Sequence, residues 1–399
     1  MDLSNRVRQL SPSPTLAITT KTIAMRAQGV DVISFGAGEP DFDTPDHIKK
    51  AAVQALDDGF TKYTPVGGID ELKDAIIEKF ARDNGIVYER PQILVSSGGK
   101  HAIYNLAQAL FDAGDEVIIP APYWVSYPPI VQLARATPVI VPTSEEEGFR
   151  ISPERLRESI TPKTKAVILN SPCNPTGAVY ERKELEALAE IILREKVYVI
   201  SDEIYEKIVY DGCSFTSIAS LDRDLRERTV IVHGVSKTYA MTGWRIGFTA
   251  GPAELIKAMT TVQSQSTSNP TSIAQRAASV ALSGPQELVT EMVQVFQERR
   301  DLIVQRLTSI EGISCFQPRG AFYVFPKISS RFGRTSEGTR VTNSVELADY
   351  LLTSSHTAVV PGVSFGAEGY VRLSFATGTE NIQKGLDRIE EALSRLNRD

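Results

Sequence analysis

Cysteine and histidine are scarce in this chain, which has three of the first and four of the second among 399 residues. The cysteines (Cys173, Cys213 and Cys315) are odd in number and far apart, and the histidines form no cluster along the sequence. Neither a disulfide framework nor a zinc-binding pattern fits this spacing. We therefore expect no metal site, and we expect a reducing, cytoplasmic location.

Long apolar runs and a surplus of basic residues are also missing. No uninterrupted apolar run approaches the length of a membrane span, and the first residues lack the apolar core of a secretory signal. The formal net charge of −6 argues against nucleic acid or an anionic membrane as a partner. The composition, 42% hydrophobic and 23% charged, is typical of a globular protein.

The order of apolar runs predicts an α/β fold. Two domains are expected because the chain is longer than the roughly 100–200 residues of one domain. From position 45 to 285, strand-like runs alternate with helical patterns, which predicts a mostly parallel central sheet with right-handed crossovers and flanking helices. Beyond 290, short alternating runs (313–316, 321–325 and 370–375) predict a smaller α+β unit. The expected division is 1–44 (N-terminal arm and part of the small domain), 45–289 (large cofactor-binding domain) and 290–399 (C-terminal small domain).

The stretch between two apolar runs, 229–233 and 244–250, carries the most specific chemical signal. Lys237 comes just past the first run, with Ser236 beside it and Arg245 following. A lysine amine whose pKa is lowered by burial and nearby cations can form a Schiff base with an aldehyde cofactor. The serine and the arginine could hold a phosphate of that cofactor. The alternative is an exposed loop lysine paired with a carboxylate, which does not account for all three residues between two buried strands.

Other polar residues stand where strands end, which is where open α/β sheets place ligand contacts. Asp202 follows one strand, and Gly98-Gly99-Lys100 follows another and opens a helix. Free N–H groups at such a turn favour an anion. A plain tight turn and a helix-capping aspartate are the ordinary alternatives. Trp124 lies in a loop beyond a third strand, where an aromatic face could stack on a ring or simply join the core.

The segment around Lys237 resembles the cofactor-lysine segment of the fold-type I pyridoxal-phosphate (PLP) enzymes. More closely, the chain is similar to the class I aminotransferases of the bacterial aspartate aminotransferase branch. The motifs that extend the resemblance over nearly the whole chain are Gly36-Ala37-Gly38-Glu39-Pro40, Ser97-Gly98-Gly99-Lys100, Pro122-Tyr123-Trp124, Asn174-Pro175-Thr176-Gly177, Ser201-Asp202-Glu203-Ile204-Tyr205 and Arg372-Leu373-Ser374-Phe375.

This resemblance implies PLP as the cofactor and Lys237 as the residue that holds it and moves a proton at the substrate's α-carbon. Asp202 is expected to face the pyridine nitrogen and keep the ring protonated. The residues expected to contact the cofactor are Tyr63, Gly98, Gly99, Lys100, Trp124, Asn174, Asp202, Tyr205, Ser236, Lys237 and Arg245. Of these, Tyr63 is expected to reach the phosphate of the other subunit of a homodimer.

The residues expected to contact the substrate are Gly38, Lys100, Trp124, Asn174 and Arg372. Arg372 is expected to bind the α-carboxylate in a forked pair, although a salt bridge to a local carboxylate is the structural alternative. Lys100 could meet the distal carboxylate of a dicarboxylic substrate.

The resemblance implies a ping-pong transfer of an amino group between L-aspartate, or a related amino acid, and 2-oxoglutarate through PLP and pyridoxamine phosphate. Some relatives also use prephenate, and a few of those carry a lysine near the position of Ser11 here, so the serine argues against prephenate without excluding it. Aromatic amino acids and alanine remain alternative donors. A PLP-dependent C–S lyase and a non-catalytic PLP-fold regulator are alternatives from other classes, although the chain has no spare segment for a DNA-binding module.

Overall fold

The computed structural model describes residues 2–8, 10, 14–336 and 338–397. Ser11 lies outside them. Within this part of the chain the α-helices are α1 (Asn5–Arg8), α2 (Pro14–Ala27), α3 (Asp46–Asp57), α4 (Asp70–Asn84), α5 (Gly99–Leu110), α6 (Tyr127–Leu133), α7 (Pro153–Ser159), α8 (Arg182–Glu195), α9 (Arg223–Arg226), α10 (Ala253–Ser266), α11 (Ser272–Ser283), α12 (Glu287–Thr308), α13 (Ser344–Ser355) and α14 (Thr379–Ser394). The strands are β1 (Ile33–Ser34), β2 (Ile93–Ser96), β3 (Glu116–Ala121), β4 (Thr137–Pro142), β5 (Thr164–Asn170), β6 (Tyr198–Asp202), β7 (Thr229–Gly234), β8 (Gly247–Ala250), β9 (Tyr323–Val324), β10 (Arg334–Ser336), β11 (Thr339–Val341), β12 (Thr357–Ala358), β13 (Val360–Pro361) and β14 (Val371–Ser374).

A seven-stranded sheet in the order β2-β8-β7-β6-β5-β3-β4 forms the centre of the molecule. The neighbours from β7 through β6, β5 and β3 to β4 are parallel. Strand β8 is antiparallel to both β2 and β7. The prediction of a mostly parallel α/β sheet is therefore confirmed, and its carboxyl edge brings together the ends of β2, β3, β5, β6 and β7.

Both faces of this sheet are buried. Side chains of successive strand residues point to opposite faces, and helices cover each face. On β2, Ile93 and Val95 pack in one apolar cluster with α3, α4 and α11. The intervening Leu94 packs on the other face with α5 and α10. This double burial explains why the central strands read as nearly continuous apolar runs in the sequence.

Beyond the central sheet, helices α12, α13 and α14 pack on a small antiparallel sheet, β13-β14-β9. Strand β1 pairs in parallel with β12, so the N-terminal region joins this part of the fold. Helix α12 runs without a break through position 290. The division at 1–44, 45–289 and 290–399 stays a prediction.

Two expected strands are wrong in part. Residues 313–316 form only an isolated bridge between Ser314 and Lys327, because Ile313 packs in the small-domain core while Phe316 turns to Phe149 in another cluster. The expected strand 244–250 begins only at Gly247. A 3₁₀ turn occupies Thr242–Trp244, and the left-handed backbone of Arg245, with φ at 59°, interrupts the extended conformation.

Candidate active site

A cavity of about 300 Å³ opens at the carboxyl edge of the central sheet. Loops that follow β2, β3, β5, β6 and β7 surround it, and the small-domain strands β9 and β14 close one side. Its lining residues are Gly38, Gly99, Lys100, Ile103, Trp124, Val125, Tyr127, Asn170, Asn174, Asp202, Ile204, Tyr205, Ser236, Lys237, Thr242, Arg245, Tyr323 and Arg372. The structure thus gathers every site residue expected from the sequence except Tyr63 and Gly98 around one pocket.

Lys237 reaches into this pocket from the loop after β7. Its Nζ donates a hydrogen bond to the carbonyl oxygen of Gly38 at 2.5 Å. Burial lowers the pKa of Lys237 to about 8. The negative charge of Glu39 raises this pKa, whereas the positive charge of Arg245 lowers it. About a tenth of this amine is therefore uncharged at pH 7, and a nucleophile or base requires this neutral form.

Asp202 lies at the last position of β6 and is 6% exposed. The hydroxyl of Tyr127 donates to its Oδ2 at 2.6 Å, and the backbone N–H of Ile204 donates to its Oδ1 at 3.3 Å. Burial raises the pKa of Asp202 to about 6, while these two donors and the charge of Lys237 oppose that rise. The carboxylate is thus mostly ionised at neutral pH and can face a cation.

Arg372 on β14 is 3% exposed. Its guanidinium donates to Oδ1 of Asn174 at 3.0 Å and to the carbonyl oxygen of Gly36 at 2.8 Å. It lies 4.5 Å from the ring centroid of Tyr323. Its buried Nε has no partner, and no carboxylate in the described part of the chain pairs with it. The salt bridge considered as an alternative is therefore absent, and the guanidinium is left to meet an external anion.

The turn after β2 and the loop of Arg245 form a narrow cradle. Gly98 has φ at 93°, and a Cβ there would lie 2.3 Å from Nη2 of Arg245. That guanidinium donates to the carbonyl oxygens of Thr242 at 2.7 Å and Ser97 at 3.3 Å. Gly99 begins α5, so the unpaired N–H groups of its first turn face the same region. Position 98 therefore requires a glycine. The cradle of backbone N–H groups and the guanidinium fits a phosphate.

Lys100 and Trp124 form another wall of the pocket. The Nζ of Lys100 lies 5.0 Å from the indole centroid, and no ion pair to this lysine occurs among the described residues. Burial, and then the charge of Arg245, lower its pKa. This cation is free to bind an anionic group of a ligand.

Tyr63 lies outside this pocket and is 92% exposed. Its expected reach to a second subunit stays a prediction.

The peptide bond Asn174-Pro175 is cis. The hydroxyls of Tyr205 and Tyr323 are 2.9 Å apart.

Sequence reasoning missed Tyr127 and Tyr323 as pocket residues. Tyr127 stands three positions after Trp124 in the same aromatic loop, which is a usable signal. Tyr323 belongs to an alternating apolar strand, and only the fold brings its ring under Arg372. No sequence signal that we recognise identifies it.

The donor set fits a phosphorylated pyridine aldehyde. The cradle at Gly98 and Arg245 suits the phosphate, Asp202 suits a protonated ring nitrogen, and Lys237 suits the aldehyde carbon. In the described residues, no group of three or more potential ligands could hold a metal ion. No helix in the described ranges has the length and apolarity needed to cross a bilayer.

Comparison with known proteins agrees with this geometry. The sequence model of the family "Aminotransferase class I and II" matches residues 30–389. The aspartate aminotransferase of Geobacillus stearothermophilus is 52% identical over 389 residues, covering 98% of each chain. The aspartate/prephenate aminotransferase of Nitrosomonas europaea is 50% identical over 397 residues, covering 99% of this chain and 100% of its own.

Solved structures show the same similarity. The crystal structure of the Rhizobium meliloti aspartate aminotransferase has a TM-score of 0.96 and 46% identity, with both chains covered completely. The Thermus thermophilus aspartate aminotransferase with maleate has a TM-score of 0.92 and 46% identity, covering 98% of this chain and 100% of its own. The expected fold class, family and PLP dependence are confirmed.

Proposed function

Since the chain belongs to the class I and II aminotransferase family, it is a PLP-dependent aminotransferase, and we propose that it transfers the amino group of L-aspartate to 2-oxoglutarate. The observation that carries this choice of substrate is a pair of cations, Arg372 and Lys100, that face one pocket without an ion-pair partner among the described residues. Two cations suit a substrate with two carboxylates. The Thermus thermophilus relative was solved with maleate, which is also a dicarboxylate.

Arg372 and Lys100 divide the substrate between them in this proposal. The forked guanidinium of Arg372 binds the α-carboxylate, and its contacts to Asn174 and Gly36 fix its orientation. Lys100 binds the distal carboxylate, and the face of Trp124 limits where its ammonium can lie. A substrate with one carboxylate forgoes the charge-assisted contact to Lys100 and should therefore bind less tightly.

The chain's own residues orient and serve the cofactor. PLP, when bound, supplies a protonated ring that withdraws electrons from the substrate's α-carbon. Asp202 would accept a hydrogen bond from the ring nitrogen. The amide oxygen of Asn174 already accepts from Arg372, so its NH₂ group is left to donate to the ring oxygen, together with Tyr205. Gly98, Gly99, the backbone N–H of Lys100, Ser236 and Arg245 would hold the phosphate, which leaves the Lys100 side chain for the substrate.

Lys237 would move the proton in both halves of a ping-pong reaction. Its amine would accept a proton from the substrate's α-carbon and would give it back at the cofactor carbon that carried the aldehyde. A pKa of about 8 places both its protonated and its neutral forms within reach at neutral pH. Arg372 would keep its contact in both halves, because donor and acceptor share the α-carboxylate, and Asp202 would keep its contact because the ring nitrogen takes no part in the exchange.

We also propose a homodimer in which Tyr63 reaches the phosphate of the partner's site. Its 92% exposure in a single chain supports this, because a large aromatic side chain on a loop is otherwise left in water. Sedimentation should give twice the mass of one chain, and Tyr63→Phe should weaken PLP binding without changing that mass. A monomer with full activity would contradict the proposal.

A cytoplasmic location is proposed on the state of the thiols. All three cysteines are free, and Cys173 is buried. Cell fractionation with an activity assay tests this location.

Prephenate is the second candidate acceptor. The Nitrosomonas europaea relative is named for it, and prephenate also carries two carboxylates. We propose it on the same pair of cations, Arg372 and Lys100. Formation of arogenate from prephenate and L-aspartate, measured by chromatography, tests it directly.

The deciding experiment is a half-reaction. L-aspartate is added to the holoenzyme without any 2-oxo acid, and the visible absorption of the bound cofactor is followed. We expect the band to disappear and to return when 2-oxoglutarate is added. A band that responds to alanine or tyrosine but not to aspartate would show that the amino donor is not aspartate. Release of a thiol from cystathionine without a 2-oxo acid would indicate a lyase.

The role of Lys100 is tested by Lys100→Met beside Lys257→Met, a substitution at an exposed lysine of α10. Losing one charge-assisted contact of about 1.5–3 kcal/mol corresponds to roughly a 10- to 100-fold loss in kcat/KM for aspartate. The rate with alanine should change little. An equal loss for both donors would contradict the assignment of Lys100 to the distal carboxylate.

A further inference from the structure

Tyr127 is a buried residue of the pocket that none of the roles above uses. It is the first residue of α6 and is 1% exposed. Its hydroxyl donates to Oδ2 of Asp202 at 2.6 Å. Its ring meets the indole of Trp124 edge to face, with the ring centroids 5.3 Å apart. One side chain thus contacts both the carboxylate and the aromatic wall of the site.

We propose that Tyr127 is a positioning residue for the cofactor ring: it holds Oδ2 of Asp202, directs Oδ1 toward the ring nitrogen, and ties this carboxylate to Trp124. The inference rests on the proposed function, because it concerns the same ring site.

The hydrogen bonds of Asp202 support this division of its two oxygens. Oδ2 takes the short contact from Tyr127, whereas Oδ1 accepts the N–H of Ile204 at 3.3 Å. A carboxylate oxygen has two lone pairs, so Oδ1 keeps one for an incoming donor. Without the tyrosine hydroxyl the carboxylate could rotate about its Cβ–Cγ bond, and either oxygen could face the ring.

The titratable groups around Asp202 make Tyr127 a steady donor. Burial and the neighbouring Asp202 charge raise the pKa of Tyr127 well above 10, so its hydroxyl stays protonated. Lys237 faces Asp202 from the loop after β7, Cys173 faces it from the loop after β5, and Tyr205 follows it in the same turn. Among the groups that lower the pKa of Asp202 against its burial, the Tyr127 hydroxyl is the strongest.

Tyr127→Phe tests the proposal, because it removes only the hydroxyl and keeps the ring against Trp124. The readout is the PLP dissociation constant, obtained by titrating apoprotein with PLP between pH 5 and 9. We expect binding to weaken about 10-fold at neutral pH, as for one lost charge-assisted hydrogen bond. We also expect the acid limb of the affinity profile to move to higher pH, because Asp202 then protonates more easily.

Tyr350→Phe is the matched control. Tyr350 is a buried tyrosine of α13 whose hydroxyl donates to the carbonyl oxygen of Ala392 at 2.9 Å, far from the pocket. It should lower the unfolding temperature without moving the PLP affinity or its acid limb. If Tyr127→Phe behaves in the same way as this control, the proposal is overturned.

A second comparison separates positioning from a general loss of structure. In an Asp202→Ala background, Tyr127→Phe should weaken PLP binding no further, because the hydroxyl acts through Asp202. An additional loss of the same size in that background would overturn the proposal. PLP affinity is read without any amino acid, so failure of aspartate to change the absorption of the wild-type holoenzyme would count against the proposed function alone.

Discussion

Glu203 gives the sharpest test of how burial sets charge in this protein. It follows Asp202 directly and is 1% exposed. Its Oε1 accepts hydrogen bonds from the hydroxyls of Ser201 and Ser217, each at 2.7 Å, while its buried Oε2 has no hydrogen-bond partner among the described residues. Burial, and then the nearby charge of Glu206, raise the pKa of Glu203 to about 8. The acid is therefore protonated and neutral in the folded protein at pH 6–7.

This raised pKa makes stability depend on pH in a known direction. In the unfolded chain Glu203 ionises near its ordinary pKa of about 4.3, whereas the folded protein keeps the proton. Its stabilising effect is complete below that pH and is lost as the pH rises toward 8. Each pH unit in this window lowers the free energy of unfolding by about 1.4 kcal/mol. Between pH 6 and 8 the loss is about 2 kcal/mol, because the slope falls as the acid of the folded protein begins to ionise near pH 8.

Glu203→Gln keeps a neutral side chain of similar shape and cannot ionise. Urea unfolding of the holoenzyme, with PLP in constant excess, should show that the variant gains about 2 kcal/mol over wild type between pH 6 and 8. Glu254→Gln, at an exposed glutamate in the first turn of α10, serves as control and should show no such trend. A difference between Glu203→Gln and wild type that stays constant over this window would refute the reasoning.

Three further changes have defined outcomes. Lys79→Met removes the 2.5 Å contact of Lys79 to the buried Glu206, which keeps the imidazole of His233 at 3.2 Å and the ammonium of Lys207 at 3.8 Å, and should lower the free energy of unfolding by about 3–5 kcal/mol in urea. The double change with Glu206→Gln should recover most of this loss. Gly98→Ala forces a Cβ against Arg245 at a φ of 93°, and should weaken PLP binding at least 10-fold in a titration of apoprotein. Arg372→Lys replaces a fork with a single ammonium and should raise KM for every amino donor by roughly 10- to 100-fold in steady-state kinetics.

The position of the pocket could be predicted from the sequence because one rule of the fold identifies most of its residues. In a parallel sheet the carboxyl ends of the strands meet at one edge. Polar residues just past apolar runs, such as Asp202 and Lys237, therefore had to converge once the strands were identified. Arg372 stands out for a related reason, since a charged residue inside an apolar strand requires a partner.

What the sequence could not supply is contact between residues that are distant along the chain. Lys79 lies 127 positions from Glu206, and neither residue looks unusual in its own helix or turn. The left-handed backbone of Arg245 is also hidden, because an arginine gives no signal for a positive φ. That single conformation delays the start of the expected strand to Gly247 and turns the guanidinium toward Gly98.

The excess positive charge of the pocket explains why anionic ligands should stabilise the folded protein. Lys100, Lys237, Arg245 and Arg372 all line it, and none of these cations forms an ion pair within the described ranges. Asp202 is the anion buried among them, and the face of Tyr323 offsets only part of the cost of the Arg372 charge. The mutual repulsion of these cations, and above all the burial of Arg372 without an anion, destabilises the folded state. A phosphate and a dicarboxylate would each relieve this repulsion, and a ligand at 100 times its dissociation constant would add about 2.7 kcal/mol to the free energy of unfolding. Binding of the cofactor and binding of the substrate are therefore favoured by the same uncompensated positive charge, which a substrate with a single carboxylate would neutralise only in part.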